Sequence, residues 1–284
     1  MVEVSTLLVV PKTKKCNAHC KFCITDQLSN LDSFEGIEEQ EINLNKLEAV
    51  IKFSKSIGVI DANITGGTEP TLTNSKNLYD ITSILSKYFG RVNMYTNGAS
   101  LLNKTGNKTL TDMLSDGGLT NLVISRAHYD DEKNSEVMRL RKYDLRQTVQ
   151  NLTENGIDTK LSCLVAKDYI GNEGEVINYI TRAKSLGIRK IIFRELLYLK
   201  NDEDCNEWVK NNAIPVSFVS NLMKVIKINE FKGLWNQTIW NYNGVAVTIW
   251  PDNSRKDTIN NGDLIYMPDN HLYSSWLTKT SRIM

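Results

Sequence analysis

Short β-rich runs alternate with longer amphipathic segments along most of this chain, and this alternation limits its fold more than any other feature. Several amphipathic segments end at a glycine, such as Gly58, Gly156 and Gly187, where a helix stop is expected. The β-rich runs predict six strands, at residues 6–10, 59–65, 92–96, 121–125, 160–166 and 190–197. Because parallel strands need helical crossovers, six such units predict a parallel α/β fold.

The character of the sequence changes after residue 200, where the polar and acidic stretch 201–207 predicts a boundary. We therefore expect a core unit at residues 1–200 and a C-terminal, substrate-capping extension of mixed α+β structure at 201–284. A helix is predicted at 216–228, with strand-like runs at 245–250, 264–267 and 271–276. All five tryptophans, at positions 208, 235, 240, 250 and 276, lie in this extension. Either they form the core of a closing subdomain, or some of their rings line a substrate pocket.

The composition argues against several classes of function. Of 284 residues, 34 are Lys or Arg and 33 are Asp or Glu, so the formal net charge is +1. That balance gives no basic footprint for a large nucleic acid. No apolar run approaches the roughly 20 residues of a membrane helix, and the run at 7–10 is too short for a signal peptide. We therefore expect a cytoplasmic protein without a membrane partner.

Three of the five cysteines cluster in one short segment, as Cys16, Cys20 and Cys23. This C-x3-C-x2-C spacing follows the first predicted strand, so three thiolates could hold three corners of a 4Fe–4S cluster and leave the fourth iron open. A structural zinc site is the alternative, but it normally needs four ligands, and His19 lies directly beside Cys20. Chance clustering of buried thiols is disfavoured by the polar residues between the cysteines.

Two further motifs accompany the cysteines in the expected order along the chain. They are Gly66-Gly67-Thr68-Glu69-Pro70 after the second strand and Tyr95-Thr96-Asn97-Gly98 at the end of the third. With Phe22 completing a C-x3-C-aromatic-x-C signature, residues 5–200 resemble the radical S-adenosylmethionine (radical SAM) superfamily. Within it, the pattern is most similar to cyclic pyranopterin synthases and peptide-modifying members.

The resemblance implies a partial (β/α)6 TIM-type barrel with its active site at the C-terminal ends of the strands. It also implies that Cys16, Cys20 and Cys23 ligate the cluster, whose open iron binds the amino and carboxylate groups of S-adenosylmethionine. Reductive cleavage of that cofactor would give a 5′-deoxyadenosyl radical that abstracts hydrogen from a substrate. A reductant such as flavodoxin or ferredoxin is then the expected protein partner.

By the same resemblance, several residues are expected to bind the cofactor. Gly66 and Gly67 allow close approach of the backbone, Glu69 accepts from the cofactor ammonium, and Phe22 packs near the adenine. The full set of expected cofactor-binding residues is Phe22, Gly66, Gly67, Thr68, Glu69, Asn97, Ser125, Ser162 and Arg194. At the fourth strand the familiar pattern is Ser-x-Asp, whereas this chain reads Ser125-Arg126-Ala127.

Candidate catalytic side chains follow the fourth strand, as Arg126, His128 and Tyr129, and Glu195 lies on the predicted sixth strand. Neighbours on a strand point to opposite faces, so either Arg194 or Glu195 should face the barrel interior. We expect it to be Arg194, in contact with the cofactor carboxylate or the substrate. The alternative is a buried structural pairing of the two.

The charged segment 130–133 is predicted to be a solvated helix entry. Cys163 is predicted to be a core residue and Cys205 a surface thiol, so the two would not hold a second cluster. The leading functional hypothesis is a radical SAM enzyme acting on a small molecule or a peptide. The alternatives are a nucleotide- or RNA-modifying enzyme, a glycyl-radical activase, and a non-catalytic metal-bearing binding module.

Overall fold

Six parallel strands lie side by side at the centre of one sheet. The computed structural model describes residues 5–25, 37–197, 207–226, 230–232, 238–250, 263–276 and 279–284. The six strands are β1 (Thr6–Val9), β2 (Asp61–Ile64), β3 (Val92–Thr96), β6 (Asn121–Ser125), β7 (Asp158–Leu164) and β8 (Lys190–Arg194). A separate hairpin joins β4 (Lys104–Thr105) to β5 (Lys108–Thr109). The central strands follow chain order in the sheet and pair in parallel, so all six end at the same edge.

Amphipathic helices connect these strands, and each begins at a short polar side chain. The helices are α1 (Leu44–Ser56), α2 (Ser75–Tyr88), α3 (Leu110–Asp116), α4 (Asp131–Met138), α5 (Leu145–Glu154) and α6 (Glu173–Ser185). Their N-caps are Asn43, Asn74, Thr109, Asp130, Asp144 and Asn172, and every one accepts a backbone N–H of the first turn. Such caps satisfy donors that the helix itself leaves unpaired, which fixes where each helix starts.

The strands present different residues to the two faces of the sheet. In β3, Met94 is fully buried within the core formed with the helices, whereas its neighbour Tyr95 is half-buried on the other face. Complete burial of an apolar side chain such as Met94 stabilises the fold by about 1.5–3 kcal/mol. The helices therefore cover one face, and the opposite, concave face is free to form a site.

The segment after residue 200 adds strands to both edges of this sheet. Its elements are α7 (Glu207–Asn212), α8 (Ser217–Val225), β9 (Glu230–Lys232), β10 (Thr238–Tyr242), β11 (Val245–Trp250), β12 (Asp263–Tyr266) and β13 (Leu272–Tyr273). Strand β11 pairs in parallel with β8, and β12 pairs in parallel with β1. Within the described residues the sheet has eleven strands and is not closed, because β13 and β9 form its edges.

The predicted elements of this segment are present: the strand at Val245–Trp250 has its predicted bounds, the strand at Asp263–Tyr266 is shifted by one residue, and the other two elements are shorter than expected. The strand predicted at 271–276 pairs only over Leu272–Tyr273, and the helix predicted at 216–228 is observed as Ser217–Val225. Cys205 and Trp235 lie outside the described residues. The division into two units at residue 200 stays a prediction, since strands from both sides share one sheet. Across the described ranges, no helix combines the length and apolar character needed to cross a bilayer.

Candidate active site

A cavity of about 190 Å³ lies on the concave face, at the C-terminal ends of the parallel strands. Strands β3, β6, β7, β8 and β11 all contribute to its wall, and the cysteine loop reaches it. Six of the predicted site residues line it: Phe22, Ser125, Arg126, Ser162, Arg194 and Glu195. The structure thus brings together candidates that lie far apart in sequence.

The cysteine loop is held against the end of α4. His19 N donates to Met138 O at 3.1 Å, and Lys21 N donates to Val137 O at 3.0 Å. These two backbone hydrogen bonds fix the segment between Cys16 and Cys23, and an ion pair from the Lys21 side chain to α4 adds a further contact. The loop that carries the thiols is therefore docked on the protein rather than extended into solvent.

The three thiols fit an iron–sulfur cluster better than a single metal ion. The Cys16, Cys20 and Cys23 side chains are all half-buried. Burial raises the pKa of the Cys16 thiol, an effect that the Ala18 N–H opposes by donating to its Sγ at 3.4 Å. Within the described part of the chain, no three His, Cys, Asp or Glu side chains converge on one ion position. A cluster needs no such convergence, because each thiolate binds a different iron.

Glu69 is the most extensively bonded acid at the site. Its side chain is 3% exposed, and its Oε1 accepts from Thr71 N at 3.1 Å and from the hydroxyls of Thr71 and Thr96 at 2.6 Å each. Its Oε2 accepts from Asn97 N at 2.7 Å. The carboxylate therefore ties the loop after β2 to the end of β3.

Asn97 extends this connection to the cysteine loop, because its Nδ2 donates to Asn17 Oδ1 at 2.7 Å. Its carbonyl oxygen accepts from Tyr143 Oη at 3.0 Å. The next residue, Gly98, has φ = +83°, and a Cβ there would lie 2.7 Å from Tyr143 Oη. Only glycine suits this turn, since any side chain would meet both a strained backbone and a clash.

The predicted Gly66-Gly67-Thr68 turn packs directly against the segment that follows β1. Thr68 Oγ1 donates to Lys12 O at 3.1 Å, and Thr25 Oγ1 donates to Gly67 O at 2.6 Å. A Cβ on Gly66 would lie 3.1 Å from Lys12 O, closer than most real contacts. The turn and the cysteine segment thus form one connected surface.

Ser125 and Ser162 lie side by side at the ends of β6 and β7, in direct register across the two strands. Both line the cavity, as does Phe22, whose ring centroid lies 6.3 Å from that of Trp208. Trp208 belongs to α7, so the C-terminal segment contacts the cysteine loop.

Arg126 is an almost completely buried cation, with a side chain 3% exposed. Its guanidinium forms an ion pair with Asp131, the first residue of α4. Its backbone carbonyl accepts from Tyr179 Oη at 2.8 Å. Within the described part of the chain, the Nε of Arg126 is buried and has no hydrogen-bond partner.

His128 and Tyr129 do not line the cavity. His128 is fully buried, its Nδ1 accepts from Asp130 N at 2.9 Å, and its Nε2 lies 3.6 Å from Glu175 Oε2 on α6. Burial lowers the pKa of this histidine. The Nδ2 of Asn178, also on α6, donates to the Tyr129 hydroxyl at 3.4 Å. The structure thus gives both residues contacts behind the sheet, and their catalytic role stays a prediction.

Arg194 and Glu195 both line the cavity, whereas the sequence predicts that one of the two, Arg194, faces it. Strand β8 ends at Arg194, and Glu195 is therefore free of the alternation that governs strand neighbours. Glu195 Oε1 accepts from Val216 N at 2.7 Å. The Arg194 guanidinium carbon lies 4.7 Å from the ring centroid of Trp250 and 5.8 Å from that of Tyr95.

Comparison with known proteins identifies the family to which this chain belongs. Residues 10–180 match the model of the Radical SAM superfamily. The chain belongs to the radical SAM superfamily. The predicted enzyme class is thereby confirmed at the level of the family, whose cofactors are a 4Fe–4S cluster and S-adenosylmethionine.

Several curated relatives are named GTP 3′,8-cyclase. The one from Helicobacter pylori (strain J99 / ATCC 700824) is 28% identical over 201 residues, which is 68% of this chain and 57% of that protein. The one from Aquifex aeolicus is 24% identical over 224 residues, 77% of this chain and 64% of that protein. The chain therefore spans less than two-thirds of the length of these relatives.

Two solved structures with bound S-adenosylmethionine or AdoMet share the fold. SuiB from Streptococcus suis, bound to S-adenosylmethionine, superposes with a TM-score of 0.61 at 12% identity, covering 96% of this chain and 60% of SuiB. The protein anSMEcpe with bound AdoMet gives a TM-score of 0.61 at 15% identity, covering 98% and 76% of the two chains. These similarities confirm the predicted partial-barrel fold.

Two cavity-lining aromatic residues, Tyr95 and Trp250, were not among the predicted site residues of this radical SAM chain. Tyr95 could have been found, because it precedes Thr96-Asn97-Gly98 on a strand end and alternates with buried Met94. For the tryptophans, each of the two alternatives holds in part. Trp240 is buried in the core, whereas Trp250 lines the cavity. Cys163 is fully buried, as predicted.

Proposed function

We propose that this radical SAM enzyme abstracts a hydrogen atom from a small organic molecule or a short peptide held in the cavity. When bound, the cluster and S-adenosylmethionine supply the 5′-deoxyadenosyl radical that this reaction needs. The observation that carries the proposal is the cavity itself. It lies at the C-terminal strand ends and is lined both by Phe22 of the cysteine loop and by side chains from five strands.

The chain's own residues would bind, orient and shield the reacting groups. Cys16, Cys20 and Cys23 would hold the cluster, and Glu69, fixed by its four donors, would orient the cofactor ammonium. The contact between Phe22 and Trp208 would exclude water from the radical. Gly66, Gly67, Thr68, Asn97, Ser125 and Ser162 complete the proposed cofactor site.

A purine nucleotide is the second candidate substrate. The relatives named GTP 3′,8-cyclase support it, and so do the two guanidiniums of Arg126 and Arg194 at the cavity wall, because phosphates bind arginine well. We rank it second because the chain covers 57% of the first of these relatives. A low-potential reductant such as flavodoxin or ferredoxin, and a cytoplasmic location, remain part of the proposal.

The test is anaerobic cluster reconstitution followed by dithionite and S-adenosylmethionine, with 5′-deoxyadenosine measured by mass spectrometry. The wild type should bind iron, turn brown and make the product, and a C16A/C20A/C23A variant should do none of these. The matched control is C163A, since that buried thiol faces no cofactor and its loss should leave the iron content unchanged. Parallel reactions with GTP, with a peptide pool and with cell extract would rank the substrate classes. An iron-loaded protein that makes no 5′-deoxyadenosine under any of these conditions would refute the proposal.

A further inference from the structure

The most unusual charged group in the cavity is the guanidinium of Arg194. It contacts two aromatic rings, with its central carbon 4.7 Å from the centroid of Trp250 and 5.8 Å from that of Tyr95. Such contacts hold a guanidinium in place but offer its N–H groups only weak acceptors. Its Nε is buried and has no hydrogen-bond partner among the described residues. The arginine is thus fixed in position with donors still to satisfy.

Among the residues that the structure describes, Arg194 has no carboxylate that neutralises its charge. Arg126 is paired with Asp131, but within the described ranges no carboxylate lies in ion-pair distance of Arg194. The adjacent Glu195 carboxylate accepts from the backbone of Val216. A cation that lines a cavity costs free energy unless an anion compensates it, and the planar guanidinium matches carboxylate and phosphate oxygens in pairs.

We propose that Arg194 is the anchor for an anionic group of the substrate, a carboxylate or a phosphate, which it binds through its paired N–H donors. The inference rests on the proposed function, because it assigns a chemical class to the substrate of that reaction. Trp250 and Tyr95 act as positioning residues that hold the guanidinium toward the cavity.

The position of Arg194 favours the substrate over the cofactor carboxylate as its ligand. The residues proposed to orient the cofactor ammonium follow β2, and three strands (β3, β6 and β7) separate β2 from β8 in the sheet. Arg194 and Trp250 also lie beyond residues 10–180, the part of the chain that matches the superfamily model. The wall they form thus lies outside the matched part of the chain, where we expect the features that select a substrate.

The test is isothermal titration calorimetry on the cluster-loaded protein. S-adenosylmethionine is titrated first, and then sodium pyrophosphate and sodium succinate are each titrated into the cofactor-loaded protein. The variants are R194Q, which removes the charge, and R194K, which keeps the charge but loses the planar fork. R146Q is the matched control, because Arg146 is exposed on α5 and away from the cavity.

We expect the wild type and R146Q to bind at least one probe equally well, and R194Q to bind it about tenfold or more weakly, as for a lost charge-assisted pair. The affinity of R194K for the probe should lie between those of the wild type and R194Q. Binding of pyrophosphate alone would identify the anionic group of the substrate as a phosphate. Binding of succinate alone would identify it as a carboxylate. The affinity for S-adenosylmethionine should stay within about twofold in R194Q, which also shows that this variant is folded.

Three results would overturn the proposal. The first is a wild type that binds neither probe, and the second is an R194Q variant that binds the probe as well as the wild type does. The third is an R194Q variant whose affinity for S-adenosylmethionine falls about tenfold, because Arg194 would then bind the cofactor carboxylate. Production of 5′-deoxyadenosine is measured on the same samples. If anion binding depends on Arg194 but no product forms, the anion site stands and the proposed reaction fails.

Discussion

Replacing Glu69 with glutamine should destabilise the protein strongly, although the two side chains have nearly the same shape. The carboxylate accepts from Thr71 N, from the Thr71 and Thr96 hydroxyls, and from Asn97 N, all while almost fully buried. A glutamine has one acceptor oxygen. If that oxygen replaces Oε1, its NH2 group faces the N–H of Asn97, now 2.7 Å from a donor instead of an acceptor.

The size of the stability loss in E69Q follows from these contacts. A buried N–H left without a partner costs about 1–3 kcal/mol, and the hydrogen bonds that survive lose the assistance of a full charge. We therefore expect E69Q to lower the free energy of unfolding by about 3 kcal/mol, or to lower the melting temperature by roughly 5–10 °C. The threonine hydroxyls can rotate to accept from the amide, which keeps the loss from being larger.

The assay is urea unfolding followed by far-UV circular dichroism, under reducing conditions. E154Q is the control, because Glu154 is exposed on α5 and its change should stay within about 0.5 kcal/mol of the wild type. An E69Q variant as stable as E154Q would refute the conclusion that the carboxylate holds the ends of β2 and β3 together.

Two further predictions concern the backbone and a buried base. G98A should lower the free energy of unfolding by about 2 kcal/mol or more, because its φ is +83° and the new Cβ would lie 2.7 Å from Tyr143 Oη. G90A, where a Cβ meets nothing within 4 Å, should change it little, and equal effects would contradict the geometry. Burial lowers the pKa of His128, so the unfolded chain takes up a proton at higher pH than the folded one. The free energy of unfolding should therefore fall as pH decreases below about 6.5. In H128Q, the dependence of that free energy on pH between 7 and 5.5 should be weaker than in the wild type. The same pH dependence in both proteins would contradict this prediction.

Local features of the fold were predictable because their causes lie within short stretches of sequence. The six central strands and the helices between them follow from periodicity, polar caps and glycine stops. The charged segment at 130–133 was predicted as a helix entry, and Asp130 indeed caps α4. The cysteine spacing and the two strand-end motifs identified the family for the same reason, since each is contiguous in sequence.

Contacts between distant segments were not predictable from these patterns. The sequence around Trp250 does not indicate that β11 pairs with β8, or that this pairing places the Trp250 ring beside Arg194. The buried His128 lies 3.6 Å from Glu175 of α6, a neighbour that periodicity alone does not assign. Strand β8 ends at Arg194 and not at the predicted residue 197, and element boundaries are the least certain feature of a sequence-based prediction.

The pairing of β12 with β1 also has a consequence for synthesis of the chain. Ribosomes make β1 early, yet Thr6 aligns with Asp263, so one flank of β1 has no partner until that distant strand emerges. The outer flank of β8 likewise waits for β11. Uncovered strand edges recruit other chains, and non-local pairings form slowly. A ribosome that stops before residue 245 would thus release a nascent polypeptide that carries the cysteine loop but leaves both flanks of its six-stranded centre open to aggregation.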